Sequence, residues 1–160
     1  MRHVISVSVD NEPGVLSRVT GLFSGRGFNI ESLCVAATMN QEVSHITLVT
    51  AGNEMIIEQI IKQLRKLINV IKVVDLTPTD HVEREMALVK VKAEDRQRAE
   101  VLRIADIFRC RVVDVSPNTY TLEITGTSEK LNAVLGLLKA IGIQEVVRTG
   151  SLAMQRTKKE

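Results

Sequence analysis

Val4-Ile5-Ser6-Val7-Ser8-Val9-Asp10-Asn11-Glu12-Pro13-Gly14-Val15-Leu16 decides the fold, because the hydrophobic period changes across it. Ile5, Val7 and Val9 alternate with Ser6 and Ser8, the pattern of a half-buried strand, until Asp10 to Gly14 breaks it. Val15, Leu16, Val19, Leu22 and Phe23 then recur at i, i+1, i+4, i+7 and i+8, one face of a helix that Gly25 and Gly27 close. Downstream, a strand is predicted from Asn29 to about Ala37, a turn at Asn40-Gln41 and a returning strand from Val43 to Thr50. Asn53 is placed to cap a second helix with the stripe Ile56, Ile57, Ile60, Ile61, Leu64, Leu67 and Ile68, and Val70 to Leu76 reads as a fourth strand. This order, βαββαβ, predicts an α+β, ferredoxin-like unit in which right-handed crossovers set two helices on one face of an antiparallel sheet.

The order then repeats. Glu85 to Lys92 reads as a strand, Val101, Leu102, Ala105 and Phe108 as a helix face, and Cys110 to Val115 with Thr119 to Thr125 as a hairpin across Ser116-Pro117-Asn118. Leu131, Val134, Leu135 and Leu138 match Ile57, Ile60, Ile61 and Leu64 at a constant shift of 74 residues, the mark of an internal duplication. A last strand is predicted at Ile143 to Arg148. The expected division is therefore two tandem βαββαβ domains, 1–76 and 81–150, joined by the linker Thr77-Pro78-Thr79-Asp80 and followed by a polar, basic tail, 151–160. The polarity of that linker leads to the expectation that a chain ending after Pro78 folds by itself.

Composition narrows the function. The 160 residues include 21 Lys plus Arg against 19 Asp plus Glu, one Tyr, three Phe and no Trp. Charge is nearly balanced in each half, with seven basic against eight acidic residues over 1–80, so no basic footprint for nucleic acid emerges and Tyr120 is the one aromatic on a predicted central strand. The first apolar run is too short and too polar for a signal peptide or a membrane span, which predicts a cytoplasmic protein. Cys34 and Cys110 lie one in each half without a Cys-x-x-Cys pair, and His3, His45 and His81 are scattered, so neither a metal set nor a nucleophile with its base is visible. Gly25-Arg26-Gly27 follows a helix and lacks a third glycine, which makes it a helix stop rather than a dinucleotide fingerprint. Halves this small bury too little surface to be robust alone and invite a partner.

Two segments suggest where partners bind. The second strand carries Leu33, Cys34, Val35 and Ala36 with Glu31 as its one charge, and this topology puts it at a sheet edge, where an uncharged strand favours pairing with a second copy. The alternative is an edge covered by the chain's own linker. At Asp10 to Gly14, Pro13 presets a helix start, Gly14 allows close approach, and the first N–H groups of the helix suit a carboxylate. A capped helix start with no ligand is the other reading of those residues. Its counterpart in the second half, Ala93-Glu94-Asp95-Arg96, has no glycine and would repel a carboxylate.

Asp10-Asn11-Glu12-Pro13-Gly14-Val15-Leu16, with Leu22-Phe23 and Arg26-Gly27-Phe28-Asn29-Ile30-Glu31-Ser32-Leu33, resembles the ACT-domain family of amino-acid-binding modules. Within it, the chain is similar to the regulatory (small) subunits of acetohydroxyacid synthase, also called acetolactate synthase. His81-Val82-Glu83-Arg84-Glu85, Phe108-Arg109, Asp114-Val115, Tyr120-Thr121 and Gly126-Thr127-Ser128-Glu129-Lys130-Leu131 carry the likeness through the second half.

The resemblance implies a non-catalytic subunit that activates a separate catalytic subunit and confers valine feedback inhibition on branched-chain amino-acid biosynthesis. It implies no cofactor in this chain, which has no Gly-Asp-Gly motif, and thiamine diphosphate, Mg and FAD in the partner. It further implies a ligand site for valine, with leucine or isoleucine as alternatives, shared between two copies of the chain. Asn11, Gly14, Val15 and Leu16 would come from one copy and Asn29 and Ile30 from the other, with Leu33, Cys34, Val35 and Ala36 at the homodimer interface. No nucleic acid, membrane or metal is expected. A free-standing double-ACT amino-acid sensor controlling transcription is the alternative, disfavoured by the lack of a helix-turn-helix and of a basic face. A small ferredoxin-like enzyme is the third reading.

Overall fold

A computed structural model describes residues 1–157 and divides the chain into two compact units, 1–83 together with the segment from Ser151 onward, and 84–150. In the first unit the elements are β1 (Arg2–Asp10), α1 (Val15–Gly25), β2 (Ile30–Ala37), β3 (Val43–Ala51), α2 (Glu54–Leu64) and β4 (Val70–Asp75), with strand order β2-β3-β1-β4. The pairs are antiparallel, and β1 runs in register with β3 from Arg2 against Ala51 to Asp10 against Val43. The period-two pattern explains the core: Ile5, Val7 and Val9 of β1, with Ile46 and Leu48 of β3 and Val73 of β4, lie beneath Val15, Val19, Leu22 and Phe23 of α1 and Ile57, Ile60 and Leu64 of α2. Asn53 caps α2 as its sequence position predicts, its Oδ1 accepting from the Ile56 N–H at 2.9 Å.

The second unit repeats the plan with β5 (His81–Lys92), α3 (Arg98–Ile107), β6 (Arg111–Val115), β7 (Thr119–Gly126), α4 (Ser128–Ile141) and β8 (Ile143–Arg148), in the order β6-β7-β5-β8. The two-domain α+β expectation thus matches the architecture. Leu131, Val134 and Leu138 are fully buried, as are their counterparts Ile60 and Leu64, with Ile57 nearly so. Glu85, itself buried, is held by Arg148 through two hydrogen bonds of 2.6 and 2.9 Å and by the Ser128 hydroxyl at 3.0 Å. That hydrogen bonding raises the Arg148 pKa.

Two features differ from the sequence reading, and a third separates the two copies. In α3 the buried face is Val101, Ile104 and Ala105, whereas Leu102, which the stripe included, is 42 % exposed. Ile104 completes the i, i+3, i+4 set, and Leu102 lies a hundred degrees round the helix from Val101. The turn after α3 places Arg109 at φ +53°, where the turn after α1 has Gly27 at φ +69°, so the second copy accepts a left-handed non-glycine residue. The largest difference is at the C-terminus. The segment expected as a polar, basic tail contains β9 (Leu152–Gln155), which pairs with β5, and both Ser151 and Ala153 are buried; Lys158, Lys159 and Glu160 lie outside the described residues.

β9 covers the sheet face that the helices leave open. Ala153 joins Val4, Val49 and Leu76 in a separate buried cluster, with Val74 packed against it. The Ser151 N–H donates to Ser32 Oγ at 2.9 Å and the Ala153 N–H to Thr47 Oγ1 at 3.3 Å. Arg2 pairs with the Glu83 carboxylate and also reaches the Ser151 hydroxyl at 3.3 Å, tying the starts of β1, β5 and β9 together. A chain ending after Pro78 therefore lacks Glu83, Ser151 and Ala153, whose contacts belong to the first unit, so that unit does not end at residue 76 as the expected division had it. Burial disfavours the charged form of Glu83, but Arg2, the Ser151 hydroxyl and His81 outweigh it and hold the carboxyl below its usual range. No described helix is long and apolar enough to cross a membrane.

Two outcomes follow from this packing. Ending the chain at Gly150 should uncover Val4, Val49 and Leu76 and lower stability by on the order of 2–3 kcal/mol, read from urea unfolding; an unchanged midpoint would show that β9 contributes nothing. Glu83→Gln should destabilise near pH 7. Because the folded-state pKa of Glu83 is depressed, its contribution is present above the carboxylate's ordinary pKa and is lost as pH falls through the folded value. The melting-temperature gap between Glu83→Gln and the parent should therefore close in acid.

Candidate functional site

The turn between β1 and α1 is built by backbone hydrogen bonds to its neighbours. The Asp10 N–H donates to the Asn69 carbonyl at 2.9 Å and the Asn11 N–H to the Glu42 carbonyl at 2.8 Å. The Asn11 side-chain amide also donates to the Gln41 carbonyl at 2.8 Å, so one of its two donors is used within the chain and its orientation is set. Asn69 reaches both the Asp10 and Glu12 carboxylates at 3.3 Å, and Arg18 donates to Asn69 Oδ1 at 2.5 Å. These contacts turn the acidic residues toward the α2–β4 connection.

Gly14 stands at the helix N-cap with φ +84° and ψ −8°, a left-handed conformation that explains why glycine occupies this position. A Cβ built there meets nothing within 4 Å, so the space above it is open. α1 has neither a side-chain cap nor an acidic residue in its first turn, whereas α2 and α4 have both. The Val15 N–H makes a long contact to the Glu12 carbonyl at 3.4 Å, and helix geometry gives the Leu16 and Ser17 N–H groups no carbonyl within α1. The electropositive end of α1 thus opens beside an unobstructed glycine, an arrangement suited to a small carboxylate. Val15 is buried in the core, and Leu16 is exposed at the edge of this opening.

Asn29 and Ile30 lie elsewhere. The Asn29 carbonyl accepts from Thr50 Oγ1 at 2.6 Å, and Ile30 pairs with Thr50 at the far end of β3. The turn at Asn11 to Val15 belongs to the opposite end, where Asp10 pairs with Val43 and Ala37 with Ser44. Val43 and Thr50 are seven residues apart on one strand, or roughly 23 Å at ~3.3 Å per residue. One chain does not bring the two predicted halves of the ligand site together.

β2 is an edge strand, hydrogen-bonded to β3 on one side of the sheet order. Leu33 and Val35 pair with Leu48 and Ile46 and share the helix-covered face; Cys34 and Ala36 pair with Thr47 and His45 on the other. Val35 is 41 % exposed despite facing the helix side. Burial lowers the His45 pKa, which favours its neutral form on that second face. Burial also pushes the Cys110 thiol up, with Lys130 opposing it, so that thiol is not activated. His3 is buried with Nδ1 3.2 Å from Asp75, and no group of three or more His, Cys, Asp or Glu able to hold a metal occurs among the described residues.

The corresponding turn of the second unit is closed. Arg98 donates to the Ala93 carbonyl at 2.9 Å and to the Pro117 carbonyl, and Gln97 Nε2 donates to the Ile141 carbonyl at 3.1 Å. Sequence reasoning marked this turn as unsuited to a carboxylate from Glu94 and Asp95; it missed Arg98, whose guanidinium bridges the turn. An arginine at a helix start, where a cation opposes the helix dipole, was the available signal.

Residues 84–157 match the family described as "Small subunit of acetolactate synthase", and residues 5–72 match the "AHAS small subunit-like ACT domain". An acetolactate synthase small subunit of Aquifex aeolicus is 53 % identical over 97 % of this chain and 81 % of its own. A probable acetolactate synthase small subunit of Archaeoglobus fulgidus is 47 % identical over the whole of both chains. The crystal structure of the Thermotoga maritima acetolactate synthase small subunit superposes with a TM-score of 0.91, at 39 % identity, over 99 % of each chain.

Proposed function

The chain belongs to the acetolactate synthase small-subunit family, and from that premise we propose that it is a non-catalytic regulatory subunit that activates the catalytic subunit and makes it sensitive to valine. The partner carries thiamine diphosphate, Mg and FAD, and both act in the cytoplasm in branched-chain amino-acid biosynthesis. The observation that supports the sensing role is the uncapped start of α1 above the open Gly14. Backbone N–H groups from Gly14 onward hold the ligand carboxylate, Asn11 offers its remaining amide hydrogen-bonding capacity, and Leu16 forms part of an apolar wall. Pro13 has no N–H to give.

The separation of Asn29 and Ile30 from this turn fits a site shared by two copies. Antiparallel pairing of β2 with β2 of a second chain about a two-fold axis sets the Ile30 end of one beside the Ala37 end of the other. Ala37 lies at the end of the sheet that carries the Asn11 to Val15 turn, so each two-fold pair makes two sites. The apolar edge Leu33, Cys34, Val35 and Ala36 carries no charge to prevent that pairing.

Gly14→Asp places a carboxylate where the ligand carboxylate sits. Aspartate enters the left-handed region more readily than most residues, at a cost of about 1–2 kcal/mol, so α1 remains folded. Valine binding measured by calorimetry should weaken at least about tenfold, a loss of ~1.4 kcal/mol, while activation of the catalytic subunit survives. Undiminished binding would remove the turn from the site. Separately, Val35→Lys should shift the sedimenting mass from dimer toward monomer, and an unchanged dimer would place the interface elsewhere.

A further inference from the structure

We propose that Asn69 is a positioning residue that keeps the start of α1 open to a ligand carboxylate by holding the turn's own charged side chains away from it. The inference rests on the reading above, that the carboxylate of valine lies at this helix start, and it adds what keeps the chain's own acids from taking that place.

The opening is built beside its own competitors. Asp10 and Glu12 lie just before Gly14 in the same turn, and their carboxylates have the chemistry of the ligand's. The electropositive end of a helix attracts such groups, as α2 and α4 illustrate: each carries a glutamate in its first turn, Glu54 or Glu129, and a side-chain cap, Asn53 or Thr127. Glu12 is exposed, so packing does not fix where its carboxylate goes. Left to itself, that carboxylate would move toward the Leu16 and Ser17 N–H groups and either occupy them or repel an incoming carboxylate.

Asn69 directs its whole amide at these charges. Its Nδ2 donates to Asp10 Oδ2 and to Glu12 Oε2, each at 3.3 Å, and its Oδ1 accepts from Arg18 Nη1 at 2.5 Å. Carboxylates accept and a guanidinium donates, so the three partners together fix which way the amide faces. Arg18 is a competitor too, because its N–H donates to the Gly14 carbonyl at 3.1 Å and its side chain starts within a turn of the opening. In α3, Arg98, whose N–H donates to the Glu94 carbonyl at 3.2 Å, turns its guanidinium back across its own helix start to the Ala93 carbonyl. Asn69 draws Arg18 the other way. The main chain holds Asn69 in place independently of its side chain: its carbonyl accepts the Asp10 N–H at 2.9 Å, and Val70 beside it pairs with Val9. Its φ is negative, Arg109 being the one non-glycine residue with a positive φ among the described residues, so other side chains fit the same backbone.

The test is calorimetry on the full chain with valine as the probe, at low and at high salt, comparing the parent with Asn69→Leu, Glu12→Gln and the double variant. Asn69→Leu releases the carboxylates and should weaken valine binding at least about threefold, whereas Glu12→Gln alone should stay within about twofold of the parent. In the double variant, removal of the Glu12 charge should recover most of the loss, and high salt should narrow the Asn69→Leu deficit because these charges are exposed to screening. A purely structural role for Asn69 would give a deficit that neither change repairs. Asn69→Asp keeps the acceptor for Arg18 but loses both donors; it should weaken binding as Asn69→Leu does, and it carries the test if the leucine variant fails to fold. Parental affinity in a folded Asn69 variant, or a deficit untouched by Glu12→Gln and by salt, would overturn the role of Asn69 and leave the site reading standing. If the parent chain bound no valine at all, the reading of the site would fail and this role with it.

Discussion

The antiparallel register of β1 against β3 is the constraint on which the first unit depends. Because Arg2 faces Ala51 and Asp10 faces Val43, every second residue of both strands is committed to the same side, and a slip by one would turn Ile5, Val7 and Val9 away from α1 and α2. The same register fixes the two ends of the sheet. It sends the Asn11 to Val15 turn to one end and Asn29 and Ile30 to the other, which is why a site made from both needs two chains. β1 is central and covered on both sides, by helices over Ile5 and Val7 and by the β9 cluster over Val4.

What the amino-acid sequence revealed was whatever local periodicity encodes. The repeated βαββαβ order, the Asn53 cap, the Ile57 to Leu64 stripe with its copy 74 residues on, and the edge position of β2 are all readable from neighbours along the chain. β9 was not. Four residues with one buried side chain, Ala153, give no usable period, and the partners that bury it, Val4 and Val49, are distant in sequence. Burial of Ile104 in place of Leu102 was missed because Val101 and Leu102 offer two overlapping stripes and the sheet beneath chooses between them.

At the candidate site, the glycine at position 14 and the helix start were legible because both follow from chain chemistry. The direction of Asn11 was not, since its amide is oriented by a carbonyl thirty residues away. Nor was the closure of the second turn. There the duplicated plan persists, but Arg98 bridges by hydrogen bonding the turn that corresponds to the open one at Gly14, so the two copies keep one architecture with differently built turns.

The placement of β9 also governs the order in which the molecule can be completed during synthesis. During synthesis β1 to β4 emerge before the second unit, yet Ser151 and Ala153, which seal the open face of their sheet, emerge after it. The second unit, continuous from 84 to 150, has all its strands available before then. The first unit therefore begins folding earlier and finishes later, with Val4 and Val49 uncovered while the second unit is being made. That unfinished sheet is the apolar surface left open to wrong pairing during the interval.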